Sequence, residues 1–227
     1  MDKILLTRPK ELSNQIAKTL SYKNIPSLIQ PLFSISQIKN LQPINQEPQA
    51  ILITSCSAIF AFKKLEIKKD VLVLTVGKKT ALKIKNLGYK NVLYANNSAL
   101  SLLSLALDKL SKNDGLVIYL AGEKITLDLA KELQKRNFLA QKIVVYKTIE
   151  CKKFSLKTIK EIENGNISQI WIYSKNSLEI FYKLAKKHNL LGCLNKIKIL
   201  CFSQKIVDLA KKLGFLKTGI NYERTTK

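Results

Sequence analysis

The sequence predicts an α/β protein of two similar lobes, each a parallel sheet flanked by helices, joined by a two-stranded hinge. Three observations carry that prediction. Residues 51–65 (ILITSCSAIFAFKKL) match 170–184 (IWIYSKNSLEIFYKL), each an apolar strand that stops at a serine before an amphipathic helix. Residues 73–89 (VLTVGKKTALKIKNLGY) match 199–215 (ILCFSQKIVDLAKKLGF), each ending in Leu-Gly-aromatic. The third unit, LVIYLAGEKITLDLAKELQKRN (116–137), finds its counterpart at the N-terminus, in ILLTRPKELSNQIAKTLSYKN (4–24). There Ala17-Lys18-Thr19-Leu20 answers Ala130-Lys131-Glu132-Leu133. A repeat governs the fold before any single element does, and this one is rotated in order. One lobe is therefore expected from 40–146 and the other from 1–34 with 152–227. The chain crosses between them near 33–39 and 146–152, with a ligand cleft between the lobes.

Taken in order, residues 3–6 read as a strand, and Pro9 opens a helix to about Leu20, where its missing N–H costs nothing. Residues 27–37 read as extended, with Pro31 marking an edge or irregular strand. The polar, proline-containing stretch from Lys39 to Gln49 is a linker or weak helix. Three βα units follow at 50–65, 71–88 and 116–136, the second stopped by Gly88. Asn91–Ala95 is a short strand, Ser98 an N-cap for a helix through Leu110, and Asn113-Asp114-Gly115 a turn. The β-branched run 142–148 continues through Cys151 without a turn signal, as a long strand leaving its lobe would. A helix at 155–164 stops at Gly165-Asn166; then come strand 168–173, helix 175–187, strand 197–202 and helix 204–213.

Several chemistries are excluded by composition. His188 is the single histidine, so neither a His-dependent triad nor a zinc cluster can form. No dinucleotide or P-loop glycine pattern occurs, and Gly122-Glu123-Lys124 lacks the upstream glycine of a phosphate loop. No segment approaches the roughly 20 apolar residues of a membrane helix. A strand beginning at Ile4 leaves no room for a signal peptide, so a cytoplasmic protein without membrane association is expected. Cys56, Cys151, Cys193 and Cys201 lack any C-x-x-C spacing and read as reduced thiols.

The formal net charge is +23, yet only Arg8, Arg136 and Arg224 are arginine. Nucleic-acid sites lean on arginine, whereas here lysines come in pairs such as Lys63-Lys64, Lys186-Lys187 and Lys211-Lys212. Two readings stay open: solvated helix faces, or steering of a polyanion, either a nucleic acid or a multiply carboxylated small molecule.

Ligands in open α/β sheets bind beyond the carboxyl ends of the strands. Thr7-Arg8, Thr54-Ser55, Gly77, Ala121-Gly122, Ser174 and Ser203 all fall at that edge, where helix N-termini suit an anion. Each has a plainer reading. Thr54-Ser55 with Ser57 is a ligand turn or an N-cap; Thr80 faces the cleft or back-bonds to its helix. Tyr146 serves a site at the hinge or packs on the sheet, and Arg8 binds an anion or is surface charge.

Taken together, these segments resemble the uroporphyrinogen-III synthase family along nearly the whole chain. The resemblance is carried by Leu6-Thr7-Arg8-Pro9, Pro31-Leu32 with Ile35, Thr54-Ser55 with Ala58 and Phe62, and Val76-Gly77 with Thr80-Ala81 and Leu87-Gly88. It continues in Gly122, Val145-Tyr146 with Thr148, and Ser174. It implies a lyase of haem and tetrapyrrole biosynthesis that cyclises hydroxymethylbilane with inversion of ring D and loss of water. No metal or organic cofactor is implied, and nucleic acid is not an expected partner. The substrate is a polycarboxylate, and the upstream bilane-forming enzyme is a candidate partner. By the same resemblance Tyr146 assists departure of the hydroxyl, while Thr54, Ser55, Thr80 and Ser174 hold substrate; Arg8, Gly77, Gly122 and Ser203, at the same strand edge, are further substrate-binding candidates. Two departures stand out. Phe202-Ser203-Gln204-Lys205-Ile206 replaces the Gly-x-x-Thr of many members, and the sequence ends soon after Gly214-Phe215, without the usual C-terminal helix. The alternative is a non-catalytic bilobal polyanion-binding protein, with nucleic acid among its possible ligands.

Overall fold

The computed structural model describes residues 2–96 and 98–221. Its elements begin β1 (Lys3–Leu6), α1 (Lys10–Ser21), β2 (Ser27–Ile29), β3 (Phe33–Gln37), β4 (Pro48–Ile53), a 3₁₀ turn (Cys56–Ala58) and α2 (Phe60–Lys64). They continue with β5 (Leu72–Val76), α3 (Lys78–Lys85), β6 (Val92–Ala95), α4 (Ala99–Lys109), β7 (Leu116–Gly122), α5 (Leu129–Gln134) and β8 (Ala140–Glu150). The remainder is α6 (Leu156–Glu163), β9 (Ile167–Ile172), α7 (Lys175–Lys187), α8 (Leu191–Leu194), β10 (Lys198–Cys201), α9 (Gln204–Lys212) and β11 (Thr218–Ile220).

The chain forms two compact units, one from residues up to Ser34 and from Ile149 onward, the other Ile35–Thr148. The chain passes from one unit to the other within β3 and again within β8.

The first unit holds a sheet ordered β11-β10-β9-β1-β2, with all four strand pairs parallel. Both faces are covered, as parallel sheets require. Leu5, Ile170 and Ile199 enter one core with Leu178, Phe181 and Val207 of α7 and α9. Ile4, Leu6 and Trp171 point the other way, onto Ile16 and Leu20 of α1. The amphipathic helix α1 thus follows from apolar residues at i and i+4. Proline sits at its N-cap, at Pro9, one position earlier than the sequence reading placed it.

The second unit holds a sheet ordered β3-β8-β7-β4-β5-β6, and each pairing from β8 to β6 is parallel. Residues of β4 alternate between two cores. Ile51 and Ile53 pack with Phe62, Ala81 and Ile84, and Ala50 and Leu52 pack with Leu102, Ala106 and Leu133. The stretch 39–47 forms neither helix nor strand, and its Leu41 and Ile44 lean on the first of these cores.

Setting β3 aside, the second order β8-β7-β4-β5-β6 reproduces the first, β2-β1-β9-β10-β11, with the chain order rotated. The registers agree residue for residue. Ile51 lies opposite Val73 and Ile118, as Ile170 lies opposite Ile199 and Leu5. Val73 pairs with Val92 as Ile199 pairs with Thr218. The last pair reveals β11, an edge strand absent from the sequence reading. It fills the position beside β10 that the sequence reading left empty. The short α8 was likewise not anticipated.

Candidate functional site

Serine caps fix how several strands hand over to helices. Ser55, Ser98 and Ser174 accept hydrogen bonds from the backbone N–H of Ser57, Ser101 and Ser177. Asp128 does the same for Lys131. These bonds satisfy donors that a helix start leaves unpaired. Ser203 occupies the corresponding place before α9 but makes no side-chain cap and is exposed.

In the Ile35–Thr148 unit, the carboxyl ends of β4, β5, β7 and β8 surround a cavity of about 470 Å³. Thr54, Ser55, Tyr119, Ser98, Thr126 and Tyr146 bring hydroxyls to its wall, and Lys124 brings an ammonium. Among these, Tyr119 was missed by sequence reasoning. It sits in an otherwise aliphatic strand, is 1% exposed, and its hydroxyl lies 3.2 Å from Thr54 Oγ1. Burial pushes its phenol above the ordinary value, against the opposing bond to Thr54, so Tyr119 stays protonated. A buried phenol needs a hydrogen-bond partner, and that need was the available signal.

The placement of Tyr146 follows from a bulge. In the β7–β8 ladder Ala121 pairs with Val144 but Gly122 pairs with Tyr146, leaving Val145 as the extra residue. An extra residue of this kind re-aims the side chains beside it. Here the Tyr146 ring lies directly over Gly122: a Cβ on that glycine would stand 2.6 Å from Tyr146 Cζ and 2.8 Å from its hydroxyl oxygen. Gly122 is buried and therefore serves as the seat of the ring. The Tyr146 carbonyl accepts from Glu123 N–H (2.9 Å), which pins the backbone at the same point.

Gly77 and Thr80 stand apart from this cavity wall. Gly77 has φ 76° at the start of α3, a conformation that a side chain strains. Thr80 is buried, with its hydroxyl 3.4 Å from Cys56 Sγ, so its contacts are with the turn below it.

In the other unit, Arg8, Ser174 and Ser203 lie at the carboxyl edge of β1, β9 and β10. The Arg8 guanidinium lies over the Tyr173 ring, 4.7 Å from its centroid. Tyr173 stacks on Phe202 at 3.9 Å and 15°, and Trp171 meets Phe202 edge-on at 6.1 Å.

A larger concavity, about 1000 Å³, lies at the opposite, amino ends of β4, β5 and β6, beside the Glu47–Lys68 ion pair. It lacks the hydroxyl cluster and sits at the end of the sheet where α/β ligands do not bind; the smaller cavity is the better candidate. Among the described residues, no group of His, Cys, Asp and Glu is arranged to hold a metal ion, and no helix is long and apolar enough to cross a membrane.

Comparison with known proteins places this geometry in context. A family model described as uroporphyrinogen-III synthase HemD matches residues 14–225. No curated protein matches the chain in sequence. Among solved structures, uroporphyrinogen-III synthetase from Helicobacter pylori is similar with a TM-score of 0.61 at 15% identity, covering 98% of this chain and 93% of that one. A mutant uroporphyrinogen III synthase from the extremely thermophilic bacterium Thermus thermophilus is similar with a TM-score of 0.53 at 17% identity, covering 99% and 94%. These structural likenesses speak for the fold, and the family match favours the enzymatic reading over polyanion binding.

Proposed function

The chain belongs to the uroporphyrinogen-III synthase family, and on that premise we propose that the hydroxyl-lined cavity around Tyr146 is where the family's cyclisation of hydroxymethylbilane takes place. The observation that carries the reading is Tyr146 itself, turned by a bulge and seated on Gly122 so that its phenol faces a wall of hydroxyl groups.

The reaction converts a linear tetrapyrrole into a ring and releases water. The hydroxyl on the terminal methylene leaves as water, so it must gain a proton as its C–O bond breaks. Tyr146 donates that hydrogen bond or proton. The substituted carbon of ring D then attacks the methylene, the spiro intermediate opens, and the ring recloses in the inverted sense at the other α-carbon of ring D, whose lost proton balances the one taken up by the leaving hydroxyl. Uncatalysed closure gives the symmetric isomer, so the protein's main task is positioning. Thr54 and Ser55, with Tyr119 behind Thr54, orient the reacting end in a cavity on the scale of small-molecule sites. Lys124 meets a carboxylate of the substrate, and Arg8 is a carboxylate-binding candidate of its own unit. Gly122 acts through Tyr146, and Gly77 and Thr80 shape the turn at α3. Ser174 and Ser203 offer exposed hydroxyls at helix starts. All four cysteines are free, a usage typical of a reducing compartment, and the setting is read as cytoplasmic.

Purified protein given hydroxymethylbilane should form uroporphyrinogen III, measured by separating the oxidised porphyrin isomers. Isomer I alone would overturn the reading. Tyr146→Phe should lower kcat by about 10²-fold while leaving the melting transition in place.

A further inference from the structure

We propose that Tyr173 and Phe202 are positioning residues that hold Arg8 as a fixed receptor for one carboxylate of the substrate. The inference rests on the reading above, and goes beyond it by saying what makes Arg8 a site rather than a surface charge.

The backbone at Arg8 is tied down first. Thr7 Oγ1 donates to the Trp171 carbonyl at 2.5 Å, fastening the end of β1 to β9. The fully buried Ser13 donates to the Arg8 carbonyl at 2.8 Å. The side chain is then laid on a stack of rings: guanidinium on Tyr173, Tyr173 on Phe202, and Trp171 against the edge of Phe202. A guanidinium held over an aromatic face leaves N–H donors for a further partner, and a guanidinium can meet a carboxylate bidentately. Among the described residues no carboxylate pairs with Arg8. A long, flexible cation is thus held over one ring without an ion-pair partner among the described residues.

The internal repeat shows that this stack is not a requirement of the fold. By the matched strand registers, Tyr173 corresponds to Thr54, Phe202 to Val76 and Arg8 to Ala121. The other sheet closes the same edge with a threonine, a valine and an alanine. Packing alone therefore needs neither the two rings nor the arginine. A lysine could not replace this arrangement, since its ammonium is a point charge without the planar fork.

The test uses the full chain with two readouts, the Kd for uroporphyrin III by fluorescence anisotropy and the KM and kcat for hydroxymethylbilane. Tyr173→Leu should raise Kd and KM about 5- to 10-fold, with kcat held within about twofold. Arg8→Lys should do the same, and the double variant should be no worse than Arg8→Lys alone. Tyr173→Phe should retain binding, because the ring face carries the cation. Trp171 is the single tryptophan, so its emission reports whether each variant keeps its fold around the stack. Where Tyr173→Leu fails that check, Phe202→Leu takes its place. Unchanged Kd and KM in a folded Tyr173→Leu or Phe202→Leu protein, or additive losses in the double variant, would overturn the inference while leaving the function standing. A wild-type protein that makes only isomer I overturns the function itself.

Discussion

Replacing Gly122 by alanine adds one methyl group, and the structure says where it lands. The new Cβ would stand 2.6, 2.7 and 2.8 Å from Cζ, Cε2 and the hydroxyl oxygen of Tyr146. Unstrained carbon contacts lie at about 3.5–4.0 Å, so the ring has to retreat by roughly 1 Å. Gly122 is not among the glycines with positive φ, so alanine meets no backbone strain. The atoms in the way are the far end of a half-buried side chain, which can move without unpacking the sheet. The stability cost therefore sits at the low end of the overpacking range, about 1 kcal/mol, or about 2–4 °C in Tm for a chain of this size. Catalysis has no such tolerance. A 1 Å misplacement of a catalytic group costs about 10²-fold in rate.

Gly122→Ala should consequently melt close to wild type, lose about 10²-fold in kcat, and release more isomer I as uncatalysed closure competes. Gly192→Ala is the control, since its Cβ meets nothing within 4 Å, and it should be silent in both assays. Turnover within twofold of wild type, with isomer III unchanged, would refute the claim that the seat of Tyr146 matters to the reaction.

Two further outcomes follow from the same geometry. Tyr119→Phe keeps the buried ring but removes the partner of Thr54; denaturant unfolding should show a loss of about 0.5–1.5 kcal/mol, and turnover should fall less than in Tyr146→Phe. Equal stability of the variant and wild type would remove that bond from the site's support. Burial pushes the Cys201 thiol up to about 11, so at pH 8 only about a thousandth of it is thiolate. In native protein it should react with a thiol reagent roughly two orders of magnitude more slowly than the half-buried Cys56, Cys151 and Cys193. Raised above its unfolded value, this group adds stability in full below about pH 9, an increment lost as pH rises toward 11. Rapid modification of four thiols before unfolding would contradict the buried assignment.

The parallel sheets and their flanking helices were legible because strands buried on both faces must be continuously apolar, and their helices must be amphipathic. Even the register was latent in the repeat: aligning Ile51 with Ile170 and Val73 with Ile199 reproduces pairs that the two ladders form. The caps at Ser55, Ser98 and Ser174 could also be read, since serine before an apolar-periodic run has a defined local use. The bulge that aims Tyr146 could not. A single extra residue at Val145 changes which side chain faces Gly122 but leaves no mark in composition. The aromatic stack was hidden for a different reason. Tyr173 and Phe202 each look like an ordinary strand-end aromatic until β9 and β10 are paired. β11 escaped notice because Thr218-Gly219-Ile220 is too short to announce a strand by itself. It is stabilised by its neighbour rather than by its own sequence.

The rotated repeat constrains what evolution of this chain could change. Two sheets with the same strand order and the same registers present their carboxyl edges with nearly the same backbone, so functional difference has to come from side chains and a few turns. At one edge the positions hold Thr54, Val76, Gly77 and Ala121, of which Thr54 and Val76 line the cavity with Tyr119 and Tyr146. At the other they hold Tyr173, Phe202, Ser203 and Arg8, which fill the same space with rings and a cation. The turns diverge as well: Gly77 has φ 76° where Ser203 has φ −159°, so α3 and α9 start from different backbones. A polycarboxylate substrate rewards this asymmetry. The lysines in the last turns of α2, α7 and α9 are exposed and complement the helix dipoles, and as point charges they carry no direction. In the role proposed for it, the Arg8 guanidinium adds what they lack, a planar fork that matches a carboxylate. Where Arg8 is held in this way, it discriminates among the acid groups of a polycarboxylate as the exposed lysines cannot.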